Sequence, residues 1–147
     1  MDVTLREVTM ENFRECIDLK VADDQKGYVA SNMYSLAEAK ADGVSSPLAV
    51  YAADRMVGFI MYDFEAKEDL GYITRLMVDA RFQGNGYGRA AMSEVVDRLK
   101  AIPTCKEIRT SFAPANAAAE RLYLSLGFEH TGETIDGETV VKMTLDA

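Results

Sequence analysis

The segment RFQGNGYGRAAM contains three glycines, Gly84, Gly86 and Gly88, within a stretch of five residues. A helix-forming stretch follows them at once. Glycine has no Cβ, so its backbone can approach a ligand closely. A helix N-terminus adds free N–H groups and a partial positive charge. The pattern is therefore typical of a loop that cradles a phosphate group. A tight turn into a helix, without any ligand, is the alternative interpretation.

Two common phosphate-binding motifs do not account for this loop. A Walker A loop requires GxxxxGK followed by Ser or Thr, and the chain has no such segment. Gly86, Gly88 and Ala91 fit the GxGxxA pattern of dinucleotide-binding folds, but the preceding strand ends near Val78, several residues too early. The next strand is followed by SFAPAN, which offers no carboxylate for a ribose. These features argue against a dinucleotide site.

The elements around the loop form a βαβ unit. A strand over residues 71–79 precedes the loop, a helix extends to about Ala101, and a second strand covers residues 107–112. Met92, Val95, Val96 and Leu99 form the buried stripe of that helix. The order along residues 71–112 is therefore strand, glycine loop, helix and strand.

The rest of the chain adds hairpins and helices on both sides of this unit. The N-terminal part predicts a strand over residues 4–8 and then a helix capped by Thr9, which carries Phe13, Cys16, Ile17 and Val21 on one face. A second helix is capped by Ser35 and stops before Gly43. A hairpin over residues 47–64 follows and turns at Asp54 and Arg55. The C-terminal part predicts a helix from Asn116 to Gly127 and a hairpin turning at Asp136 and Gly137. The class is mixed α/β, in a single domain over residues 1–147.

Two motifs together resemble those of the GNAT superfamily of N-acetyltransferases. Gln83, Gly86 and Gly88 form QxxGxG after a strand, and NAAAERLYLSLGF follows about 30 residues later with Asn116 and Tyr123 in register. The resemblance implies a mostly antiparallel sheet with a central βαβ unit, whose parallel strands splay apart, and about four helices. Residues 24–39 and 57–62, with the loop, are most similar to bacterial diamine and spermidine/spermine acetyltransferases.

The resemblance implies acetyl-CoA as cosubstrate. Backbone amides from Gly84 to Arg89 would bind its pyrophosphate, and the backbone of the strand before the loop would pair with its pantetheine arm. The implied cofactor-binding residues are Leu76, Met77, Val78, Gln83, Gly84, Asn85, Gly86, Tyr87, Gly88, Arg89, Asn116 and Ala119. Asn116 is also explained as a helix N-cap, and Arg81 and Arg89 are either phosphate neighbours or solvated surface arginines.

Tyr123 is the candidate catalytic acid. A phenol with a reference pKa near 10 stays protonated at pH 7 and can give its proton to a leaving thiolate. Its helix face is apolar, with Ala119, Leu122 and Leu126, so a core tyrosine is the alternative. Direct attack by an amine on a thioester needs no protein nucleophile, and the chain has no Ser-His or Cys-His signature.

The sequence provides no obvious general base. A primary alkylamine has a pKa near that of lysine, about 10.4, so its deprotonation at pH 7 costs about 4.6 kcal/mol. Polyamine acetyltransferases often carry an acid on the strand before the loop, at the position that Thr74 occupies here. Either a water relay reaches a more distant carboxylate, or the amine arrives already neutral.

Acidic residues favour a cationic substrate. The net charge is −8, which argues against nucleic acids and anionic membranes as partners. The candidate substrate-binding residues are Asp63, Glu65, Glu68 and Asp69 after the hairpin strand, with Asp24, Gln25 and Tyr28 opposite. A solvated acidic loop is the alternative for the first group.

The function expected from these features is acetyl transfer to a primary amine, with a polyamine favoured as the acceptor. The alternatives are another amine (an amino acid, an aminoglycoside or a protein N-terminus) and a catalytically weak CoA-binding regulatory module. No metal site is expected, and Cys16, Cys105 and His130 are interpreted as two buried thiols and a strand surface or packing residue. The first residues do not resemble a signal peptide, so a cytoplasmic protein is expected, and a homodimer is plausible by analogy.

Overall fold

The computed structural model describes residues 2–145, and its strands form one seven-stranded sheet in the order β1-β2-β3-β4-β5-β7-β6. The strands are β1 (Thr4–Glu7), β2 (Ser46–Ala52), β3 (Arg55–Glu65), β4 (Leu70–Val78), β5 (Glu107–Phe112), β6 (Glu129–Ile135) and β7 (Glu138–Thr144). β4 and β5 are parallel, and the other neighbours are antiparallel. The predicted mixed, mostly antiparallel sheet is confirmed.

Four α-helices cover the two faces of the sheet. They are α1 (Phe13–Asp18), α2 (Asn32–Asp42), α3 (Tyr87–Lys100) and α4 (Ala117–Ser125). Two short 3-10 turns, Asp23–Gln25 and Ala80–Phe82, lie between them. α3 connects β4 to β5, so the predicted βαβ unit is present.

The core has two layers, one on each side of the sheet. On one side Met92, Val95 and Leu99 of α3 pack with Ile73 and Ile108, and this cluster also contains Tyr123 of α4. On the other side Cys16 of α1 and Ala39 of α2 pack against Phe59 and Met61 of β3. Cys16 and Cys105 are buried free thiols, as predicted, and burial followed by the charge of Glu15 raises the pKa of Cys16 to about 11.

Three boundaries in the first half of the chain differ from the sequence prediction. α1 begins at Phe13 and ends at Asp18, so Thr9 and Val21 lie outside it, although the Thr9 carbonyl accepts the amide of Phe13. Ser31, not Ser35, caps α2: its side chain accepts the Tyr34 amide, while Ser35 is buried within the helix. The β2–β3 turn lies at Ala53 and Asp54, one residue earlier than predicted, with Ala53 at a φ of 54°.

The second half of the chain follows the prediction closely. β5 has the predicted bounds, and α3 ends at Lys100, one residue before the predicted end. Asn116 caps α4, and Gly127 follows that helix with a φ of 103°. Asp136 and Gly137 both have positive φ angles, 49° and 82°, and they form the predicted turn between β6 and β7.

The parallel strands separate halfway along β4. β4 pairs with β5 only from Leu70↔Glu107 to Ile73↔Thr110, and the remaining residues of β4 have no strand partner on that side within the described part of the chain. On its other side β4 has a bulge at Thr74, because Tyr62 pairs with Ile73 and Met61 pairs with Arg75. The predicted splay is therefore present, and it opens the sheet next to the glycine loop.

Candidate active site

A cleft of about 890 Å³ occupies the space where β4 and β5 separate, and we call it the main cleft. Residues 74–78 of β4 form one wall, and residues 110–112 of β5 form the other. Three further walls come from the glycine loop with the start of α3, from α4 and from residues 21–30 before α2. The lining residues of these walls include Gln25, Tyr28, Gly84, Gly86, Gly88, Arg89, Asn116, Ala119 and Tyr123.

The glycine loop presents free backbone amides to the main cleft. The first internal hydrogen bond of α3 links the Ala90 amide to the Gly86 carbonyl, so the three amides before Ala90 have no partner within the helix. Gly84 and Gly86 have φ angles of 81° and 83°, which favour glycine. A Cβ on either one would meet no atom within 4 Å, so the space beside the loop is open. This loop has the properties that a phosphate group requires.

The side chains of the loop hold its shape. Gln83 Nε2 donates to the Val78 carbonyl at 2.9 Å and to Gln25 Oε1 at 2.8 Å, so it joins the end of β4 to the segment before α2. Asn85 Nδ2 donates to the Phe82 carbonyl, and this residue is not part of the cleft wall. Arg89 lines the cleft and donates to Ser125 Oγ at 2.9 Å.

A buried aspartate anchors the segment between β4 and the loop. Asp79 accepts hydrogen bonds from the Lys20 amide, the Arg81 amide and Arg81 Nε. Burial alone would raise the pKa of Asp79, but these hydrogen bonds hold it below its usual range. Arg81 is thereby paired outside the main cleft, whereas Arg89 remains at its wall. The sequence reading did not identify Asp79.

The free edge of β4 faces the main cleft. Leu76, Met77 and Val78 pair with β3 on one side only, and all three line the cleft. The Leu76 and Met77 side chains pack into the core, as expected for a strand. The Val78 carbonyl already accepts the hydrogen bond from Gln83. The Asp79 amide donates to the Val57 carbonyl of β3, so by strand alternation the N–H and C=O of Met77 also point to β3. The backbone groups left at the free edge are therefore those of Leu76 and the Val78 amide.

Tyr123 reaches the main cleft from α4. Its side chain packs between Phe112 and Phe128, with ring centroids 5.9 and 6.1 Å away, and it is only 6% exposed. Burial raises the pKa of Tyr123 to about 12; the neighbouring Thr110 side chain lowers it by a smaller amount, and the charge of Glu138 raises it further. Tyr123 is thus both a core residue and a cleft residue, and it keeps its proton at neutral pH.

Asn116 and Ala119 begin α4 at the same wall. The Asn116 side chain accepts the Ala119 amide at 3.2 Å, so its role as an N-cap is established. Both residues line the main cleft. Across the cleft, Tyr28 donates to the Ala115 carbonyl at 3.4 Å and joins the segment before α2 to the loop before α4.

A second space of about 350 Å³ continues from the main cleft, and we call it the acidic cavity. Thr74, Arg75 and Ser111 line both spaces. Five carboxylates line the acidic cavity: Asp63, Glu65, Glu68, Asp136 and Glu138. Burial, followed by the charges of Asp42 and Glu65, raises the pKa of Asp63.

Not all of the predicted substrate residues lie at these spaces. Gln25 and Tyr28 line the main cleft, but Asp24 does not line either space. Asp69 lies outside the acidic cavity and forms an ion pair with Lys106 at 3.6 Å. Asp69 is the last member of the predicted cluster, but it has a φ of 55° at the turn before β4, and its carbonyl accepts the Lys106 amide at 2.8 Å.

The comparisons with known proteins agree with this geometry. A family model for the acetyltransferase (GNAT) family matches residues 5–128. The chain belongs to the GNAT family. A spermine/spermidine N(1)-acetyltransferase of Bacillus subtilis is 31% identical over 148 residues, covering 96% of this chain and 97% of the relative.

Solved GNAT structures have the same fold. Spermidine N-acetyltransferase from Vibrio cholerae, in complex with CoA and spermine, superposes with a TM-score of 0.75 at 19% identity and covers 98% of this chain and 95% of its own. PaiA N-acetyltransferase from Thermoplasma acidophilum, in complex with coenzyme A, has a TM-score of 0.74 at 15% identity, covering 99% of this chain and 100% of its own.

Several residues of this GNAT site were not identified from the sequence. Thr110 forms the last pair before β4 and β5 separate and Ser111 is the first residue beyond it, whereas Asp136 and Glu138 come from the β6–β7 hairpin. The only available signal was the Asp136–Gly137 turn, which places an acid at the start of a strand. Because β7 inserts between β5 and β6, the acids of this hairpin reach the cleft although they are far from the glycine loop in sequence.

Other polar groups of the GNAT chain lie elsewhere. His130 is on β6, with its Nε2 3.1 Å from Glu120 Oε2 and its ring edge toward Phe112. Within residues 2–145, no group of three or more His, Cys, Asp or Glu side chains is arranged to hold a metal ion. None of the helices described is both long and apolar enough to cross a membrane.

Proposed function

We propose that the chain transfers the acetyl group of acetyl-CoA to a primary amine of a polyamine by direct attack on the thioester. The observation that supports the polyamine is the acidic cavity, because five carboxylates line a space that continues from the main cleft. An amine reacting in the cleft can extend its other ammonium groups into this cavity. The similarity to a spermine/spermidine acetyltransferase of Bacillus subtilis points to the same class of substrate.

Acetyl-CoA binding is assigned to the glycine loop and the free edge of β4. The amides before Ala90, at the N-terminus of α3, would hold the pyrophosphate, with Arg89 beside them. Backbone groups of Leu76 and the Val78 amide would pair with the pantetheine arm. Gln83 and Asn85 shape this site through hydrogen bonds within the protein, and Asn116 and Ala119 form its far wall.

Tyr123 is assigned as the acid that protonates the leaving thiolate. Its phenol is protonated at neutral pH, as an unperturbed tyrosine is, and its position at the wall of the main cleft gives it access to the reacting groups. Direct attack of the amine on the thioester carbonyl needs no nucleophile from the protein. The chain's contribution is then to position the two substrates and to exchange protons.

Charge balance in the acidic cavity supports a cationic acceptor. Among residues 2–145, Arg75 is the one cation of the cavity wall, and its guanidinium is paired with Glu38 of α2 at 3.1 Å. The carboxylates of the wall therefore dominate the local field. Asp63, Glu65 and Glu68 are proposed to bind the outer ammonium groups, while Gln25 and Tyr28 border the reacting end.

One feature favours an α-amino acid as a second candidate acceptor. Arg75 Nε is buried and has no hydrogen-bond partner within the described part of the chain, although Arg75 lines both spaces. A carboxylate next to the reacting amine would provide an acceptor for this donor. This substrate class would bring a negative charge toward five carboxylates, so we rank it below the polyamines.

A panel of amines tests the proposal. The rate of CoA release from acetyl-CoA is measured with spermine, spermidine, butylamine and several amino acids, at low and at physiological ionic strength. We expect a kcat/KM for spermidine or spermine well above that for butylamine. The advantage is expected to shrink as salt screens the acidic cavity, since the Debye length is about 8 Å at physiological strength.

The outcomes separate the alternatives. Equal turnover of butylamine and spermine at low salt would reject the polyamine and retain the acetyltransferase. A preference for amino acids would favour the second candidate. Tight binding of acetyl-CoA without turnover of any amine would indicate a regulatory module.

A further inference from the structure

The reaction requires an acceptor for the proton that the ammonium group loses. Thr74 occupies the β4 position nearest to the separation of the strands, and its hydroxyl donates to the Met61 carbonyl at 3.3 Å. It has no carboxylate and is already engaged with β3. The β4 wall carries no carboxylate, so a carboxylate acceptor has to come from another wall of the cleft.

We propose that Glu138 accepts this proton through the hydroxyl of Ser111. The inference rests on the proposed transfer of an acetyl group to an amine. It assigns the base to the β6–β7 hairpin, on the opposite side of the opening from β4.

The two side chains form a hydrogen-bonded pair at the opening. Ser111 Oγ donates to Glu138 Oε1 at 2.8 Å. Ser111 is directly opposite Val140 on β7, so Glu138, two residues away, projects from the same face of the sheet. Ser111 is also the first residue of β5 beyond its last pair with β4. The pair is thus fixed by strand register at the point where the cleft opens.

Acid and base lie on opposite faces of the sheet. Thr110 and Phe112 of β5 are buried in the layer that contains Tyr123, and Ser111 alternates with them. Tyr123 therefore approaches the opening from the face covered by α4, and Ser111 approaches it from the other face. This arrangement suits a reaction in which the thiolate leaves on one side and the amine attacks from the other.

The other carboxylates of the acidic cavity are less suited to this role. Asp63, Glu65 and Glu68 line only the acidic cavity and not the main cleft. Asp136 lines both spaces, but it is exposed in the tight turn with a φ of 49°. Among the carboxylates that line both spaces, Glu138 is the one bonded to a hydroxyl of the cleft wall.

The proton transfer balances with the acetyl transfer. The ammonium nitrogen gives one proton to Ser111 Oγ, while the Ser111 hydroxyl proton passes to the Glu138 carboxylate. The free amine forms the new C–N bond, the C–S bond breaks, and Tyr123 protonates the thiolate. The acetylated nitrogen then loses a second proton, which restores the proton that Tyr123 gave to the thiolate. Glu138 then releases its proton to solvent through the acidic cavity, so one proton is produced for each acetyl group moved.

Several other charged or titratable groups share these walls with Glu138. They are Tyr28 before α2, Asp63, Glu65 and Glu68 at the end of β3 and after it, Tyr72 and Arg75 of β4, Tyr87 and Arg89 of α3, Tyr123 of α4, and Asp136 of the turn. A substitution that removes only the acid function of Glu138, and retains its shape, therefore gives the clearest test.

The variants are Glu138→Gln and Ser111→Ala, with Glu129→Gln as the control on the same hairpin. Glu129 is exposed on β6 and lies outside both spaces. Each protein is checked for folding by thermal unfolding and for CoA binding by calorimetry. The kcat and KM for the best amine are then measured from pH 7 to pH 9.

We expect Glu138→Gln to lower kcat by roughly 10²- to 10⁴-fold at pH 7, the usual contribution of a general base, while CoA affinity is retained. The activity of this variant should rise about tenfold per pH unit, because only the fraction of amine that is already neutral reacts, and this fraction grows tenfold per unit below a pKa of about 10.4. The wild-type rate should rise less steeply. Ser111→Ala should show the same pH response, and Glu129→Gln should match the wild type.

The inference is overturned if both folded variants keep the wild-type kcat and pH profile while the wild type acetylates amines. If Glu138→Gln does not fold, Ser111→Ala decides the result alone. An inactive wild type with every amine would instead reject the proposed function itself, and the inference with it.

Discussion

The Thr110 hydroxyl donates a hydrogen bond to the Ile73 carbonyl at 2.9 Å, and these two residues form the last pair between β4 and β5. Beyond them the strands separate and the main cleft begins. Thr110 is 1% exposed and lines the main cleft, so the hydrogen bond between Thr110 and Ile73 lies at the inner end of this cleft. The buried Thr110 side chain thus closes the opening of the sheet on the core side, and it lies next to Tyr123.

Replacing Thr110 with valine should destabilise the fold. Valine has nearly the same shape but no hydroxyl, so the buried Ile73 carbonyl loses this donor, at a cost of about 1–3 kcal/mol. The free energy of unfolding, measured with urea, should fall by this amount. Thr134→Val is the control, since Thr134 is exposed on β6 and its substitution should change stability by less than about 0.5 kcal/mol. Equal stability of Thr110→Val and the wild type would show that the bond has no net structural role.

Replacing Tyr123 with phenylalanine should separate catalysis from packing. The ring contacts with Phe112 and Phe128 remain, so stability at neutral pH should be retained. We expect kcat to fall by roughly 10- to 1000-fold, the range of a lost general acid, with CoA affinity nearly unchanged. Tyr62→Phe is the matched control, because Tyr62 packs against the same core but lies outside both spaces. Wild-type turnover in Tyr123→Phe would leave Tyr123 with a packing role alone.

Tyr123→Phe should also lose less stability at high pH than the wild type does. The folded pKa of Tyr123 is about 12, mainly because of burial, whereas an unfolded tyrosine titrates near its reference value of about 10. The unfolded chain therefore loses this proton first as pH rises. The wild type should lose stability above about pH 10, and Tyr123→Phe should lose less. Thermal unfolding between pH 8 and pH 11 measures the difference, and parallel curves for the two proteins would contradict it.

The sequence predicted the C-terminal half of the fold better than the N-terminal half, and the reasons are local. Asn116, Gly127 and the Asp136–Gly137 pair are strong signals because each position needs a capping side chain or a positive φ. Ser31 and Ser35 are both suitable caps for α2, and the choice between them depends on which serine packs into the core. Ser35 is buried by tertiary packing and Ser31 caps the helix, so the prediction from periodicity, which named Ser35, was wrong.

The candidate site was predictable where it is continuous in sequence. The glycine loop, β4 and α4 each carry a recognisable motif, and their residues line one cleft. Ser111, Asp136 and Glu138 have no motif, because they reach the cleft only through the pairing of β5 with β7. Strand order decides this contact, and the linear sequence does not encode strand order in a local pattern.

Replacing Gly88 with alanine should weaken CoA binding while it stabilises the fold. Gly88 lies in the first turn of α3 without a positive φ, and a Cβ there would meet Val78, Leu122 and Leu76 at ordinary contact distances of 3.6 to 4.0 Å. Alanine in place of glycine should then stabilise the helix by about 0.4–1 kcal/mol. The new methyl group would occupy space in the main cleft, so CoA affinity should fall roughly tenfold, equivalent to about 1.4 kcal/mol.

Calorimetric titration with CoA and thermal unfolding check this pair of effects. Ser93→Ala, on the exposed face of α3, is the control that should leave affinity unchanged. Gly86 is a poorer position for the test, because its φ of 83° would strain any other residue. Undiminished CoA affinity in a stabilised Gly88→Ala protein would exclude this part of the loop from the site.

Replacing Asp63 with asparagine should stabilise the free protein and weaken polyamine binding. Burial and the nearby charges of Asp42 and Glu65 raise the pKa of Asp63, so the folded state binds this proton more tightly than the unfolded state does. Stability is therefore lost as pH rises from the unfolded pKa of about 3.9 to the raised folded value, and the loss persists at pH 7. Asparagine removes this charge, so the melting temperature at pH 7 should rise, and the difference from the wild type should vanish under acidic conditions.

A bound ammonium group would compensate the carboxylate charge in the wild type, so spermine should raise the melting temperature of the wild type more than that of Asp63→Asn. Asp24→Asn, outside both spaces, is the control. Equal stabilisation of both proteins by spermine would remove Asp63 from the substrate site.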